Sequence, residues 1–200
     1  VVAYVALDRV SYVFPIAPFA ITPWNPPAGL SLAFLLLAGL HVAPALAVAA
    51  VLADVLVRGG GVHLGFSVLS SVIIAACYTG VAAFLLRAAR IDPALRRLRD
   101  VAWIGATAVP ASLVVAGAYV GLHAAAGLIP RQGLATSVLR FWIGDMIGII
   151  VTTPALLAFV NELFTDVADL KPGGGRFTDT ESDRFPTTAA GDADHTDRVR

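Results

Sequence analysis

Asp145 is the residue whose position asks most of its surroundings. It lies in Arg140-Phe-Trp-Ile-Gly-Asp-Met-Ile-Gly-Ile-Ile-Val-Thr-Thr-Pro154, a stretch that otherwise reads as a membrane-spanning helix. A carboxyl group near the bilayer interior costs about 3 kcal/mol even on the mildest insertion scale, so it persists where something holds it or uses it. Two chemistries fit: contact with a ligand or partner, or a hydrogen-bonded tie between helices. Gly144 and Gly148 sit four apart beside it, a spacing that lets another helix approach closely. Arg140 precedes Asp145 by five residues, off the best helical offset, so a partner from another segment is at least as good an expectation. Trp142, and Trp24 with Asn25, can bring amphipathic groups to the same end of a bundle, or simply anchor at the membrane interface.

Other ionisable residues point to less. Asp54 has Arg58 at i,i+4, which predicts a local pair at a helix surface. His41, His63 and His123 are scattered, and a solvated or interfacial role is expected for them rather than a metal site. The single cysteine, Cys77, excludes an intramolecular disulfide and reads as a small buried hydrophobe. No phosphate-binding loop, nucleophile elbow, zinc-protease motif or spaced Cys/His cluster occurs in the sequence, and His195 lies in a polar tail without helical context. No enzyme chemistry is expected within these residues, no metal is expected, and no cofactor is indicated.

The elements that must position Asp145 are membrane helices. The 200 residues are 58% hydrophobic and 14% charged, with a mean hydropathy of +0.79, against about 25% charged in an ordinary soluble domain. Net charge is zero, which removes a polybasic argument for nucleic acid. Val1–Leu7 reads as the tail of a first span, ended by Asp8 and Arg9. Five prolines between Pro15 and Pro27, interleaved with aromatics, predict an irregular interfacial stretch or lid. Ala28–Val57 is thirty nearly unbroken apolar residues, roughly 45 Å as helix and too long for one straight crossing of a core of about 30 Å. Two short helices meeting around Leu40–Pro44 are expected, with a single long, tilted and kinked helix as the alternative. Arg58 and the three glycines after it signal a turn; Gly65–Leu86, Val101–Leu122 and Val138–Val160 are the following spans, with His123–Ser137 as an external loop. The connection from Arg87 to Asp100 holds five arginines against two aspartates, so by the positive-inside rule it is cytoplasmic. The last span then runs outside to inside. Asn161–Arg200 begins with Leu163, Phe164, Val167 and Leu170, then turns polar and glycine-rich, and is expected to be a cytoplasmic linker or a disordered tail.

Three motifs together resemble a known family. Pro23-Trp-Asn-Pro-Pro-Ala-Gly-Leu30 is similar to its W-P-P-x-G-L entry, with Asn25 as an extra residue. Leu35-Leu-Leu-Ala-Gly-Leu-His-Val-Ala-Pro44 is similar to its L-L-L-x-G-x-x-x-x-P continuation. Phe141-Trp-Ile-Gly-Asp-Met-Ile-Gly-Ile-Ile-Val-Thr-Thr-Pro154 resembles its W-W-x-G-D-x-x-G-x-x-x-x-x-P signature, with Phe141 for the first tryptophan, and Ile91–Asp100 fits its middle cytoplasmic connection. The family is the MASE1 domain, an integral-membrane sensory module of bacterial signalling proteins. The resemblance implies an input domain placed before a cytoplasmic output such as a histidine kinase or diguanylate cyclase.

The expectation is therefore an all-α, polytopic transmembrane bundle of about five to six membrane segments with a disordered polar C-terminal tail. Residues 1–160 form the sensor, its first span incomplete, and 161–200 the linker or tail. Trp24, Asn25, Pro26, Gly29, Arg140, Trp142, Gly144, Asp145 and Gly148 are the candidate ligand-binding or signal-coupling residues. The expected partners are the lipid bilayer, a small ligand or membrane protein, a cytoplasmic output and a second copy in a homodimer. The expected location is the inner membrane, with the C-terminus in the cytoplasm. A transporter or solute-binding component is the alternative, since broken helices with intramembrane charge also mark transport sites.

Overall fold

The structure, a computed structural model, describes residues 1–11, 24–57 and 63–169. Among these there are six α-helices and no strand: α1 (Val2–Ser11), α2 (Pro26–Ala38), α3 (Ala43–Val57), α4 (Leu64–Arg87), α5 (Leu98–Ala125) and α6 (Leu134–Asp169), with 3₁₀ turns at Leu40–Val42 and Arg131–Gly133. Val1–Phe164 form one compact unit. Four helical stretches are long and apolar enough to cross a membrane: Leu40–Val57, Leu64–Arg87, Leu98–Ala125 and Arg131–Thr165. The all-α polytopic architecture is as expected, with α1 and α2 as shorter members.

The run from 28 to 57 is two helices. Gly39 breaks it, with φ at +92°, a conformation open to glycine and strained for other residues. Its N–H still closes on the Leu35 carbonyl at 3.1 Å, so the end of α2 loses little. Three sequence boundaries need correction. Pro26 and Pro27 belong to α2 rather than to the irregular stretch, because a proline at the first helical positions has no N–H to leave unbonded. α1 continues through Asp8 and Arg9 to Ser11, and Asp8 is buried where α1 packs against α2 and α3. α6 starts at Leu134, inside the expected external loop; its breakers Gly127, Pro130 and Gly133 all precede that residue. The proline-rich lid before Trp24, the turn at Arg58 and the polar tail after Asp169 lie outside the described residues.

Small residues let the helices close on one another. The core interleaves alanines (Ala28, Ala33, Ala75, Ala82, Ala108) with Leu32, Leu35, Leu85, Ile104, Ile149 and Leu157, the composition expected where packing rather than water exclusion drives association. Buried hydroxyls turn back onto their own helix: Ser31 to Pro27 O at 2.7 Å and Ser112 to Ala108 O at 2.6 Å. That satisfies them without water. Phe34, Val48, Val72, Leu113, Val114 and Val151 are exposed on the outside, as lipid requires. α4 packs against α2, α3 and α5, so it is central to the unit. At 36 residues α6 is the longest helix, roughly 54 Å and well over a bilayer core.

Candidate functional site

α2 is apolar all round and only 13 residues long, about 20 Å, so it ends within the bundle. A helix start leaves several N–H groups without helical acceptors, which hydrocarbon does not forgive. Here each one before the regular ladder has a solution. The Asn25 N–H reaches across to the Gly144 carbonyl of α6 at 3.1 Å; Pro26 and Pro27 have no N–H; the Ala28 N–H bonds Asn25 O at 3.1 Å. Pro26, Pro27 and Gly29 are all buried.

The side chains continue this join. Asn25 Nδ2 donates to Asp145 Oδ1 at 2.7 Å, and the Tyr78 hydroxyl of α4 donates to Asp145 Oδ2. Asp145 is fully buried and Tyr78 is 2% exposed. The carboxyl group thus lies at the positive end of the α2 backbone dipole with each oxygen filled by a protein donor. Two turns further along α6, Thr153 Oγ1 donates to Gly29 O at 3.1 Å. Between these bonds the two backbones touch. A Cβ on Gly148 would overlap the Asn25 carbonyl oxygen, and one on Gly29 would overlap Gly148 O and stand 2.6 Å from Thr152 Cβ. We call this join the α2–α6 clasp, with Tyr78 as its prop from α4.

The structure brings together Asn25, Pro26, Gly29, Gly144, Asp145 and Gly148 of the residues singled out in the sequence. The others make no described contact with Asp145. Trp24 is 42% exposed, and half-buried Arg140 is not among the described partners of Asp145. Trp142 ties α6 to a different helix. Its indole N–H donates to Val109 O at 2.9 Å, next to Pro110 inside α5. Trp142→Phe should lower the thermal stability of the detergent-solubilised chain by roughly 1 kcal/mol, whereas a tryptophan serving only as an interface anchor would change nothing once lipid is gone. Asp54 accepts the Ser67 hydroxyl of α4 at 2.5 Å, a partner the sequence did not offer; Arg58 lies outside the described residues. Cys77 is half-buried against the core and lines an apolar groove of about 390 Å³ between α4 and α5.

Sequence reasoning missed Tyr78 and Thr153. The one signal for Tyr78 was a phenol in mid-span, away from the interface where tyrosines gather, and such a hydroxyl needs a partner. Among the described residues no group of three or more His, Cys, Asp or Glu is placed to hold a metal ion.

The family model for MASE1 matches residues 1–167, which takes in every residue of the clasp. The chain belongs to the MASE1 family. MASE1 domains are membrane-integral sensory domains of signalling proteins, without catalytic activity of their own. No curated protein and no solved structure matches the chain. In this MASE1 domain the described part of the first family-like motif, 24–30, and the motif at 141–154 meet in space: the first builds the start of α2 and the second the face of α6 that receives it.

Proposed function

We propose that this MASE1 domain is the input of a bacterial signal-transduction protein, and that it relays a small ligand or membrane partner to a cytoplasmic output by changing the α2–α6 clasp. Residues 1–160 act as the sensor and 161–200 as the linker, in the inner membrane with the C-terminus in the cytoplasm. The reading rests on one observation above others: the Asn25–Asp145 bond ties the buried start of α2 to the helix that leads out of the bundle. Asn161 of α6 bonds Pro93 O, so that exit lies on the same side as the arginine-rich connection after α4, which supports a cytoplasmic exit. Trp24, Arg140 and Trp142, arrayed around the clasp in the sequence, are the residues through which a signal would reach it.

The mechanism is a population shift between two packings of α6. A ligand moves that equilibrium only by its difference in affinity for the two packings. A join of a few hydrogen bonds, each worth about 0.6 and at most about 1.7 kcal/mol between membrane helices, is weak enough to be moved in this way. Asp145→Asn preserves shape but replaces one acceptor with a donor facing either Asn25 Nδ2 or the Tyr78 hydroxyl. In a fusion to a reporter histidine kinase it is expected to insert normally and to shift basal autophosphorylation. Unchanged autophosphorylation and regulation would count against the clasp as the coupling element.

A transporter is the second reading, because a short helix ending inside the bundle beside an intramembrane carboxyl group also marks transport sites. Two features favour the sensor. Both Asp145 oxygens are already filled by protein donors, and the start of α2 has no unspent N–H to offer a solute. Uptake of labelled solute into vesicles holding only this chain would reverse that preference.

A further inference from the structure

The connection between α4 and α5 is not used by the clasp, yet it is built with care. Arg87, Arg90, Arg96, Arg97 and Arg99 are all exposed along it. Two acids oppose them weakly: Asp92 stands 3.9 Å from Arg96 with both side chains well exposed, and Asp100 is buried 3.8 Å from Arg99. The outward face is strongly cationic.

The segment is also fixed in shape. Ile91 and Ala89 are buried in the core, and the Ile91 N–H bonds Leu85 O at 3.1 Å. Asp92 turns the chain by accepting the Ala94 N–H at 2.9 Å on its side chain and the Leu95 N–H at 2.9 Å on its carbonyl. Arg90 and Leu95 are held in the left-handed region, each with φ near +51°, a conformation that non-glycine residues keep only where their surroundings impose it. The arginine stems therefore leave a set frame.

Arg87 ends α4 and Leu98 begins α5, both membrane spans, which puts the frame at the membrane surface. Leu98 is 89% exposed beside the cations. A large apolar side chain next to clustered arginines suits a lipid, which presents acyl chain and phosphate together, better than a soluble phosphate. The frame also reaches the exit helix, because Asn161 Nδ2 of α6 donates to Pro93 O at 3.3 Å.

We propose that the α4–α5 connection is a docking site for the phosphate-bearing headgroups of anionic phospholipids, and that its occupancy is felt at α6 through Asn161. Lipid composition is then an input that acts where α6 leaves the membrane, apart from the clasp.

The test uses the full chain in nanodiscs of phosphatidylcholine with about one-fifth phosphatidylglycerol, with retained lipid counted by native mass spectrometry. Each arginine near an anionic surface contributes a factor of about five, so the wild type should retain phosphatidylglycerol well above its share. Arg87→Gln combined with Arg96→Gln and Arg97→Gln should lose most of that preference while keeping its circular dichroism. Proportional retention by the wild type, or full preference in the triple variant, would overturn the proposal. Displacement of the lipid by millimolar glycerol phosphate would do the same, by assigning the patch to free phosphate. For the coupling, phosphatidylglycerol should slow amide hydrogen exchange across 155–165 in the wild type. Asn161→Ala should abolish that slowing and keep the lipid preference; equal slowing in both would overturn the role of Asn161.

Discussion

Gly148→Ala is expected to part α2 from α6 and to cost the domain about 2 kcal/mol or more of stability. The added Cβ would fall on the Asn25 carbonyl, with the Asn25 carbonyl carbon only 2.7 Å away. Neither side has a rotamer to change, since both are backbone, and Asn25 is further fixed by its bond to Gly144 O. Alanine returns about 1 kcal/mol of helix propensity, so the sign depends on whether the overlap can relax; the backbone-to-backbone contact says that it cannot. Gly80→Ala and Gly117→Ala are the controls. At both positions a Cβ meets nothing within 4 Å, so only the propensity gain applies and stability should hold or rise. Thermal unfolding in detergent, followed by the reactivity of the one thiol at Cys77, separates these outcomes. A Gly148→Ala chain that melts with the wild type would mean that α2 and α6 do not meet as closely as described. In a kinase fusion the same substitution should move basal output further than Asp145→Asn, because overpacking exceeds the worth of one interhelical hydrogen bond.

How much of this was legible in the sequence depends on which physical signal carried it. Span positions follow from length and unbroken apolarity, and α4 and α5 came within three residues of their expected ends. The break within 28–57 followed from excess length, although Gly39 rather than Pro44 makes it. The Gly144–Asp145–Gly148 face was legible because small residues and a carboxyl group are both exceptional in a membrane helix. Which helix meets that face was not. α2 is apolar on every side, so no periodicity marks a buried stripe. The tie from Trp142 to Val109 O was hidden for another reason: its acceptor is backbone, and every residue offers one. Asp54 had an adequate local partner in Arg58, which concealed Ser67 of the neighbouring helix. The sequence located the groups that need partners; three-dimensional packing supplied the partners.

Tyr78→Phe is the second large effect expected, and it tests whether the clasp is propped from α4. The substitution keeps ring and volume, removes only the hydroxyl, and leaves Asp145 Oδ2 without its described donor in a fully buried place. A buried acceptor stripped of its partner costs roughly 1–3 kcal/mol, more than the average hydrogen bond between membrane helices. The loss should therefore fall toward the upper part of that range, and it should depend on Asp145. In a double-mutant cycle, Tyr78→Phe made on the Asp145→Asn background should cost about 1 kcal/mol less than on the wild type, since the amide no longer demands two donors. A cycle that closes to zero would make Tyr78 ordinary core and leave Asn25, among the described residues, as the side-chain hydrogen-bond partner of the carboxyl group. Function offers a separate readout. If α4 holds Asp145 against α2, Tyr78→Phe in a kinase fusion should shift basal output in the same direction as Asp145→Asn, because both loosen one side of the same carboxyl group. Opposite shifts would mean that the two hydrogen bonds stabilise different packings of α6.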